Sequence, residues 1–206
     1  MINLIGVTGK AGSGKTTIAN YIRDNYLYAQ LNFADPIKQG LASMLGLTLE
    51  DLDKLKITNE PINDYLDINV RRLLQTLGTE WGRNTIDKDF WCYLMEEKID
   101  NLIWKLIPTT NFVIGDVRFV NEVNWINNKG GTTILVKRDN KITEKTTRNH
   151  QSEVEIESLR DIVTYSVNNS GSHASLFYQI DGIMKELGLR KRSKWLIALS
   201  KWINSL

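Results

Sequence analysis

Gly9-Lys10-Ala11-Gly12-Ser13-Gly14-Lys15-Thr16 is the stretch on which the fold of this chain turns. It has the spacing G-x-x-x-x-G-K-[ST], and each residue type meets a need of phosphate binding. The glycines let the backbone wrap an anion with its N–H groups inward. A helix opening at Gly14 or Lys15 aims its positive end at the same anion. Lys15 can reach the β- and γ-phosphates of a nucleotide, and the Thr16 hydroxyl suits Mg²⁺. A flexible glycine turn would share the pattern, so the flanks decide. Before the loop, Ile2 to Thr8 is short, β-branched and bounded by glycine, which reads as a strand. After it, Ile18, Ala19 and Ile22 recur on one face of a helix from Lys15 to about Asn25. Strand, loop and helix together make Gly9, Lys10, Ala11, Gly12, Ser13, Gly14, Lys15, Thr16 and Thr17 an ATP site.

Outward from the loop, Leu27 to Phe33 reads as a second strand, ended by Ala34-Asp35-Pro36. Three helices are expected next. One covers 36–46, one carries Val70, Leu73, Leu74 and Leu77 over 70–79, and a long one runs from Trp91 to Leu106, before Pro108. Alternation then resumes: strand 112–116, helix 119–129 closed by Gly130-Gly131, and strand 132–137. A polar segment, 138–157, leads to strand 162–167 and helix 172–187, with Leu176, Phe177, Ile180, Ile183, Met184 and Leu187 on one side and Gly188 as its cap. This order predicts a three-layer α/β/α fold of the P-loop kinase type. Its parallel sheet has five strands, with a helical acceptor-binding insert and a short lid. The expected organisation is one domain over 1–189, with the insert at 34–108, the lid-like segment at 138–157, and a basic amphipathic helix at 190–206.

Composition narrows the class. Of 206 residues, 42% are apolar and 24% charged, which excludes collagen-like and wholly disordered chains. The single cysteine, Cys92, cannot form an internal disulfide and fits a reducing, cytoplasmic compartment. No apolar run is long enough for a membrane span, and no basic leader precedes the first strand. The formal charge of +2 hides an asymmetry: residues 1–189 carry 21 basic and 24 acidic groups, and the last 17 carry five basic and none acidic. The body therefore has no global attraction for nucleic acid. In the tail, Leu196, Leu199, Trp202, Ile203 and Leu206 fall near one face, a pattern for docking on the same domain or on a second subunit rather than on a membrane. A homodimer is left open.

Asp116 ends the apolar run Phe112-Val113-Ile114-Gly115. A carboxylate there suits the Walker-B role beside Mg²⁺, with Thr16, and equally suits the N-cap of the next helix. Asp35 is either a site residue or a turn residue before Pro36.

Several blocks resemble a known family. Asn32-Phe33-Ala34-Asp35-Pro36-Ile37-Lys38 is similar to the F-A-D-P-[LI]-K segment of bacteriophage-type deoxynucleoside monophosphate kinases. The run from Arg71 through Leu74-Gln75, Leu77-Gly78-Thr79-Glu80 and Gly82-Arg83 resembles their R-x-x-L-Q-x-L-G-T-[ED]-x-G-R. Asp116-Val117-Arg118-Phe119-Val120-Asn121-Glu122 resembles D-V-R-F-x-N-E, and His150-Gln151-Ser152-Glu153 resembles H-x-S-E. With the phosphate loop, these blocks run in family order over residues 1 to about 170. Val70 and Val120 stand where the family often carries proline, which bears on helix starts more than on chemistry.

The resemblance implies transfer of the ATP γ-phosphoryl group to the phosphate of a deoxynucleoside monophosphate. A nucleotide phosphate, with a second pKa of about 6, is largely dianionic at neutral pH and needs no general base. It needs relief of anion–anion repulsion, which lysine, arginine and Mg²⁺ supply. The expected catalytic set is Lys15, Arg71, Arg118, Asp35 and Arg138. The expected acceptor-binding set is Asp35, Lys38, Arg71, Gln75, Arg83 and Arg118, with Arg71 and Arg83 on the acceptor phosphate and Arg138 opening the lid. Two other readings compete. One is a P-loop kinase acting on a hydroxyl, as dephospho-coenzyme-A kinases do, with Asp35 as base. The other is a nucleotide-regulated interaction protein without transfer.

Overall fold

The structure is a computed structural model that describes residues 2–58, 60–63, 65–105, 110–138 and 158–193. In chain order the elements begin with β1 (Asn3–Thr8), α1 (Lys15–Tyr26) and β2 (Ala29–Leu31). Next come α2 (Asp35–Leu45), α3 (Leu49–Thr58), β3 (Pro61–Asn63), β4 (Leu66–Asn69), α4 (Val70–Gln75), a π-helix (Thr76–Ile86) and α5 (Phe90–Trp104). The chain then forms β5 (Asn111–Val117), α6 (Val120–Asn128), β6 (Thr132–Lys137), a 3₁₀ turn (Leu159–Asp161), β7 (Tyr165–Asn168) and α7 (His173–Glu186). The chain divides into two compact units, one made of the described residues up to Asn32 and from Leu102 onward, the other Phe33–Asn101.

The first unit holds a five-stranded sheet in the order β2-β5-β1-β6-β7, with every pairing parallel. β1 therefore lies at the centre, and alternation along it serves two layers. Ile5 and Val7 face a core shared with Ile18, Ala19 and Ile22 of α1 and Leu176, Ile180 and Met184 of α7. Gly6 faces the other way, where a Cβ would come 2.4 Å from Ile126 Cδ1 of α6. Helices on both faces complete the three-layer α/β/α arrangement. Central strands buried on both sides explain the unbroken apolar runs of β1, β5 and β6.

Beyond α7, Gly188 (φ +73°) turns the chain back, and the N–H of Leu189 donates to Met184 O at 2.8 Å. The segment after it is tied to α1 and α7. Arg192 N–H donates to Asn25 O (2.7 Å), and Lys191 Nζ donates to Asp181 Oδ2 (2.8 Å) and to the Tyr21 hydroxyl. Tyr21 and Tyr26 both donate to Asp181 Oδ1, at 2.7 and 2.6 Å. Burial pushes the Asp181 carboxyl up, but the bonds from Lys191, Tyr26 and Tyr21 outweigh it and hold it below the ordinary carboxylate value. Burial pulls the Lys191 ammonium down, and its bonds to Asp181 and Tyr21 prevail, leaving it above the ordinary lysine value.

The second unit is helical apart from the antiparallel β3–β4 hairpin. Its core joins Leu41, Ala42, Leu52 and Val70 with Leu73, Leu74 and Leu77. Val70 buries completely as the first residue of α4, whose N-cap is Asn69: its side chain accepts from Arg72 N–H at 2.9 Å.

Several boundaries differ from the sequence expectation. The α3 helix and the strands β3 and β4 stand where the sequence predicts no element, because a short amphipathic helix and a two-strand ribbon leave weak periodicity. The expected helix over 70–79 keeps α winding only to Gln75 and continues as a π-helix. β2 is shorter than 27–33, and Leu27 takes a left-handed conformation (φ 61°) as the C-cap of α1. The last strand starts at Tyr165, preceded by the 3₁₀ turn. Leu187 is exposed rather than packed with the α7 face. Of the expected tail helix, residues 190–193 are described and are not helical; 194–206 lie outside the described residues, as do 139–157 of the lid segment with His150. Among the described residues, no helix is long and apolar enough to cross a membrane.

Candidate active site

The phosphate loop joins β1 to α1 in the first unit. At Gly9 (φ +148°) a Cβ would lie 2.6 Å from Val136 O, and at Gly14 (φ +104°) it would lie 2.3 Å from Asn169 Nδ2, so both positions exclude a side chain. Ser13 N–H donates to Lys10 O at 3.1 Å, closing a tight turn between them. Gly14 caps α1 with no side chain, which leaves the first-turn amides and the helix dipole to an anion. Lys15 is 8% exposed, and its Nζ donates to the carbonyls of Gly9 (2.6 Å) and Lys10 (2.9 Å). The ammonium is thereby held over the loop. Thr16 is exposed on the first turn and Thr17 half-buried. Two buried hydroxyls here, Thr8 Oγ1 and Ser13 Oγ, take no hydrogen bond from the protein. An unmade bond on a buried hydroxyl costs about 1–3 kcal/mol, and a phosphate oxygen can accept from such a group.

Strand order brings two more groups to this loop. β1 is flanked by β5 and β6, so residues leaving the carboxyl ends of both strands border Gly9. In the β1–β5 ladder Gly6 pairs with Ile114 and Thr8 with Val117, so β5 fits one extra residue into this step, at Gly115-Asp116. Such a bulge re-aims a side chain. Asp116 is half-buried there and is not the cap of α6, whose N-cap is Phe119. The capping carboxylate belongs to Glu122, 2% exposed, which accepts from the N–H groups of Arg118 (2.7 Å) and Phe119 (3.2 Å). Glu122 thus fixes the backbone that carries Arg118, whose half-buried side chain follows Asp116 by two residues. From the other side, exposed Arg138 follows β6, and its Nη1 donates to Gly12 O at 3.3 Å. The structure brings Lys15, Thr16, Asp116, Arg118 and Arg138 to one sheet edge.

The remaining expected residues lie in the second unit. Asp35 is the first residue of α2, followed by Pro36, and its Oδ2 is 3.1 Å from Lys98 Nζ of α5. Lys38, one turn on, pairs with Asp53 at 2.7 Å, so part of its charge serves the α2–α3 contact. Arg71 is exposed on α4 and Gln75 half-buried at its end. Arg83, half-buried in the π-helix, donates from Nη1 to Lys88 O at 3.2 Å. Trp91 is 5% exposed and packs in the interior, edge-on to Phe90, while Trp81 remains 47% exposed.

Three residues escaped the sequence reading. Asn169 is 6% exposed, just past β7, and its Nδ2 donates to Ser13 O at 2.7 Å, bracing the phosphate loop across 156 residues. The polar run Asn168-Asn169-Ser170-Gly171 signals a turn, and only the position of β7 two strands from β1 gives it this role. Glu122 was visible as the last residue of D-V-R-F-V-N-E but carried no role there. Lys98, on the polar side of α5, is linked to Asp35 by tertiary structure alone.

Comparison with known proteins accords with this geometry. The solved structure of dephospho-CoA kinase from Campylobacter jejuni superposes with a TM-score of 0.51 at 16% identity, covering 91% of this chain and 98% of that one, a likeness of fold. Deoxynucleotide monophosphate kinase from Escherichia phage RB69 is 26% identical, across 89% of this chain and all of that protein. A putative deoxynucleotide monophosphate kinase from Acanthamoeba polyphaga mimivirus is 32% identical over 174 residues, 81% of this chain and 88% of that protein. The family model for deoxynucleotide monophosphate kinase matches residues 48–180, a span that starts after the phosphate loop and takes in the arginine-bearing helices and Asp116. Loop geometry, parallel sheet and family match converge from separate parts of the sequence: the chain belongs to the deoxynucleotide monophosphate kinase family.

Proposed function

We propose that this protein is a nucleotide kinase that transfers the γ-phosphoryl group of ATP to the phosphate of a deoxynucleoside 5′-monophosphate, giving the diphosphate and ADP. The observation that carries the reading is the glycine-shaped loop, with buried Lys15 at its centre and Asp116, Arg118 and Arg138 at the flanking strand ends. Lys15 neutralises the β- and γ-phosphates as charge spreads over the transferred group, and the loop amides hold the triphosphate in line. Arg118 and Arg138 balance the charge of two approaching phosphates. In the second unit, Arg71 and Arg83 grip the acceptor phosphate, with Gln75, Lys38 and Asp35 on the rest of the nucleotide. No general base is required, because the attacking phosphate oxygen is already ionised.

A divalent ion fits the donors present. Thr16 offers a hydroxyl and Asp116 a carboxylate, both hard oxygen ligands at the loop and the β5 bulge. No group of three or more His, Cys, Asp or Glu among the described residues could hold a metal alone. That pattern suits Mg²⁺, which keeps waters and completes its shell with substrate phosphates. When bound there, held by Thr16 and Asp116, Mg²⁺ would supply positive charge that relieves the repulsion between the nucleotide phosphates.

A coupled ADP-release assay against the four common deoxynucleoside monophosphates and their ribose counterparts tests the proposal. Acceleration by at least one deoxynucleotide above the water-only rate is expected, and none with any acceptor would refute it. Asp35→Asn separates phosphate from hydroxyl acceptors: substantial turnover across the pH range is expected here, and its abolition would favour a base-dependent hydroxyl kinase.

A further inference from the structure

The helix bearing the acceptor-side arginines changes its winding midway. It is an α-helix over Val70–Gln75 and a π-helix over Thr76–Ile86, eleven residues where π winding usually lasts a single turn. Arg71, Gln75, Thr79 and Arg83 recur at every fourth position. At about 100° per residue, a four-residue α step overshoots a full turn by about 40°, and three such steps would put Arg83 about 120° away from Arg71. A π-helix winds by about 82° per residue, so its four-residue step falls about 30° short of a turn. One α step followed by two π steps nearly cancel, returning Arg83 to within about 30° of Arg71.

Packing from α5 holds this winding. Trp91 donates its Nε1–H to Gly78 O at 2.7 Å. Its indole lies against Gly82, where a Cβ would come within 2.5–2.7 Å of the ring atoms. Asp87 N–H reaches back five residues to Gly82 O at 3.1 Å and closes the last turn. Arg72 Nη2 and Glu80 Oε1, 3.0 Å apart, span the junction between the two windings.

We propose that the α-to-π switch is a spacing device that sets Arg83 in line with Arg71 along the bound acceptor, and that Trp91 and Gly82 are positioning residues acting through Arg83. The proposal rests on the reading that this helix grips the acceptor nucleotide.

The test is a kinetic cycle on the full chain with Trp91→Phe, Arg83→Ala and the double variant. Loss of the indole N–H should raise the acceptor KM by about tenfold with the ATP KM unchanged. In the Arg83→Ala background it should add nothing further. An equal rise in both backgrounds, an unchanged acceptor KM, or a parallel rise in both KM values would overturn the proposal. A second variant avoids the interior. Moving the arginine one place along the exposed edge, with Arg83→Ala plus Asn84→Arg, shifts it about 80° off the row. It should leave the acceptor KM as poor as in Arg83→Ala, and restored affinity would overturn the alignment. Wild-type turnover separates the two failures: no turnover refutes the acceptor reading itself, whereas full turnover with additive effects defeats the alignment alone.

Discussion

The phosphate loop and the Val70–Ile86 helix, the two regions of the proposed nucleotide sites, present opposite kinds of surface. In the loop the binding surface is backbone: glycines in positive φ, a helix end without a side-chain cap, and a lysine pinned to two carbonyls. In the helix, the proposed acceptor side, it is side chain: an exposed Arg71 and a half-buried Arg83, with a change of helical period between them. Backbone amides come with their geometry fixed, so the loop can be ordered before substrate arrives. Arginine side chains carry more conformational freedom but offer planar, paired donors that suit a phosphate.

The largest effect should come from the one side chain the loop cannot replace. Lys15→Met is expected to lower kcat by about 10²–10³-fold with secondary structure by circular dichroism unchanged, because it removes a charge aimed at the transferred group. Retained turnover would mean that backbone alone does the work and would break the contrast. On the helix, Arg71→Ala should raise the acceptor KM by about 10–100-fold, the worth of a charged hydrogen bond, and leave ATP affinity nearly intact. A matching loss of ATP affinity would show that the division of labour is wrong. Asn169→Ala sharpens the loop side. It strands the buried Ser13 carbonyl, for about 1–3 kcal/mol, and should lower Tm and weaken ATP binding while sparing the acceptor KM.

The smallest expected effect lies at the far end of α1, where Lys191, Asp181, Tyr21 and Tyr26 meet. Asp181 is held below its ordinary pKa, so its share of stability is present above the ordinary carboxylate range and lost as pH falls through the lowered value. Lys191 is held above its ordinary pKa, so its share is present below the ordinary lysine range and lost as pH rises through the raised value. Lys191→Met should therefore cost up to about 1 kcal/mol near neutrality, as a partly exposed pair does. Thermal melts should show the gap from wild type closing in strong acid and in strong alkali, and a pH-independent gap would point to packing alone.

Legibility in the sequence followed the strength of local periodicity. The central strands, α1, α6 and α7 each carry a pattern that a single burial geometry explains, and all appear near their expected positions. The 49–69 segment did not, since its short elements take their order from packing on Leu41, Ala42 and Val70. Of the two roles that the sequence leaves open for Asp116, the helix cap is taken by Glu122. The sequence predicts Arg138 at the start of a lid, and its contact with Gly12 comes from β6 pairing with β1.

By itself, the amino-acid order determined the phosphate loop, the alternation that makes a covered parallel sheet, and the family, because these depend on residue type at short, fixed spacing. Tertiary structure alone decided which distant groups brace that loop and how the Val70–Ile86 helix is wound. Asn169 reaches Ser13 only because β7 enters the sheet beside β6, and the helix that carries Arg71 and Arg83 changes its winding where an indole from α5 lies against Gly82. Such contacts join residues whose separation along the chain carries no periodic signal, so only packing can specify them.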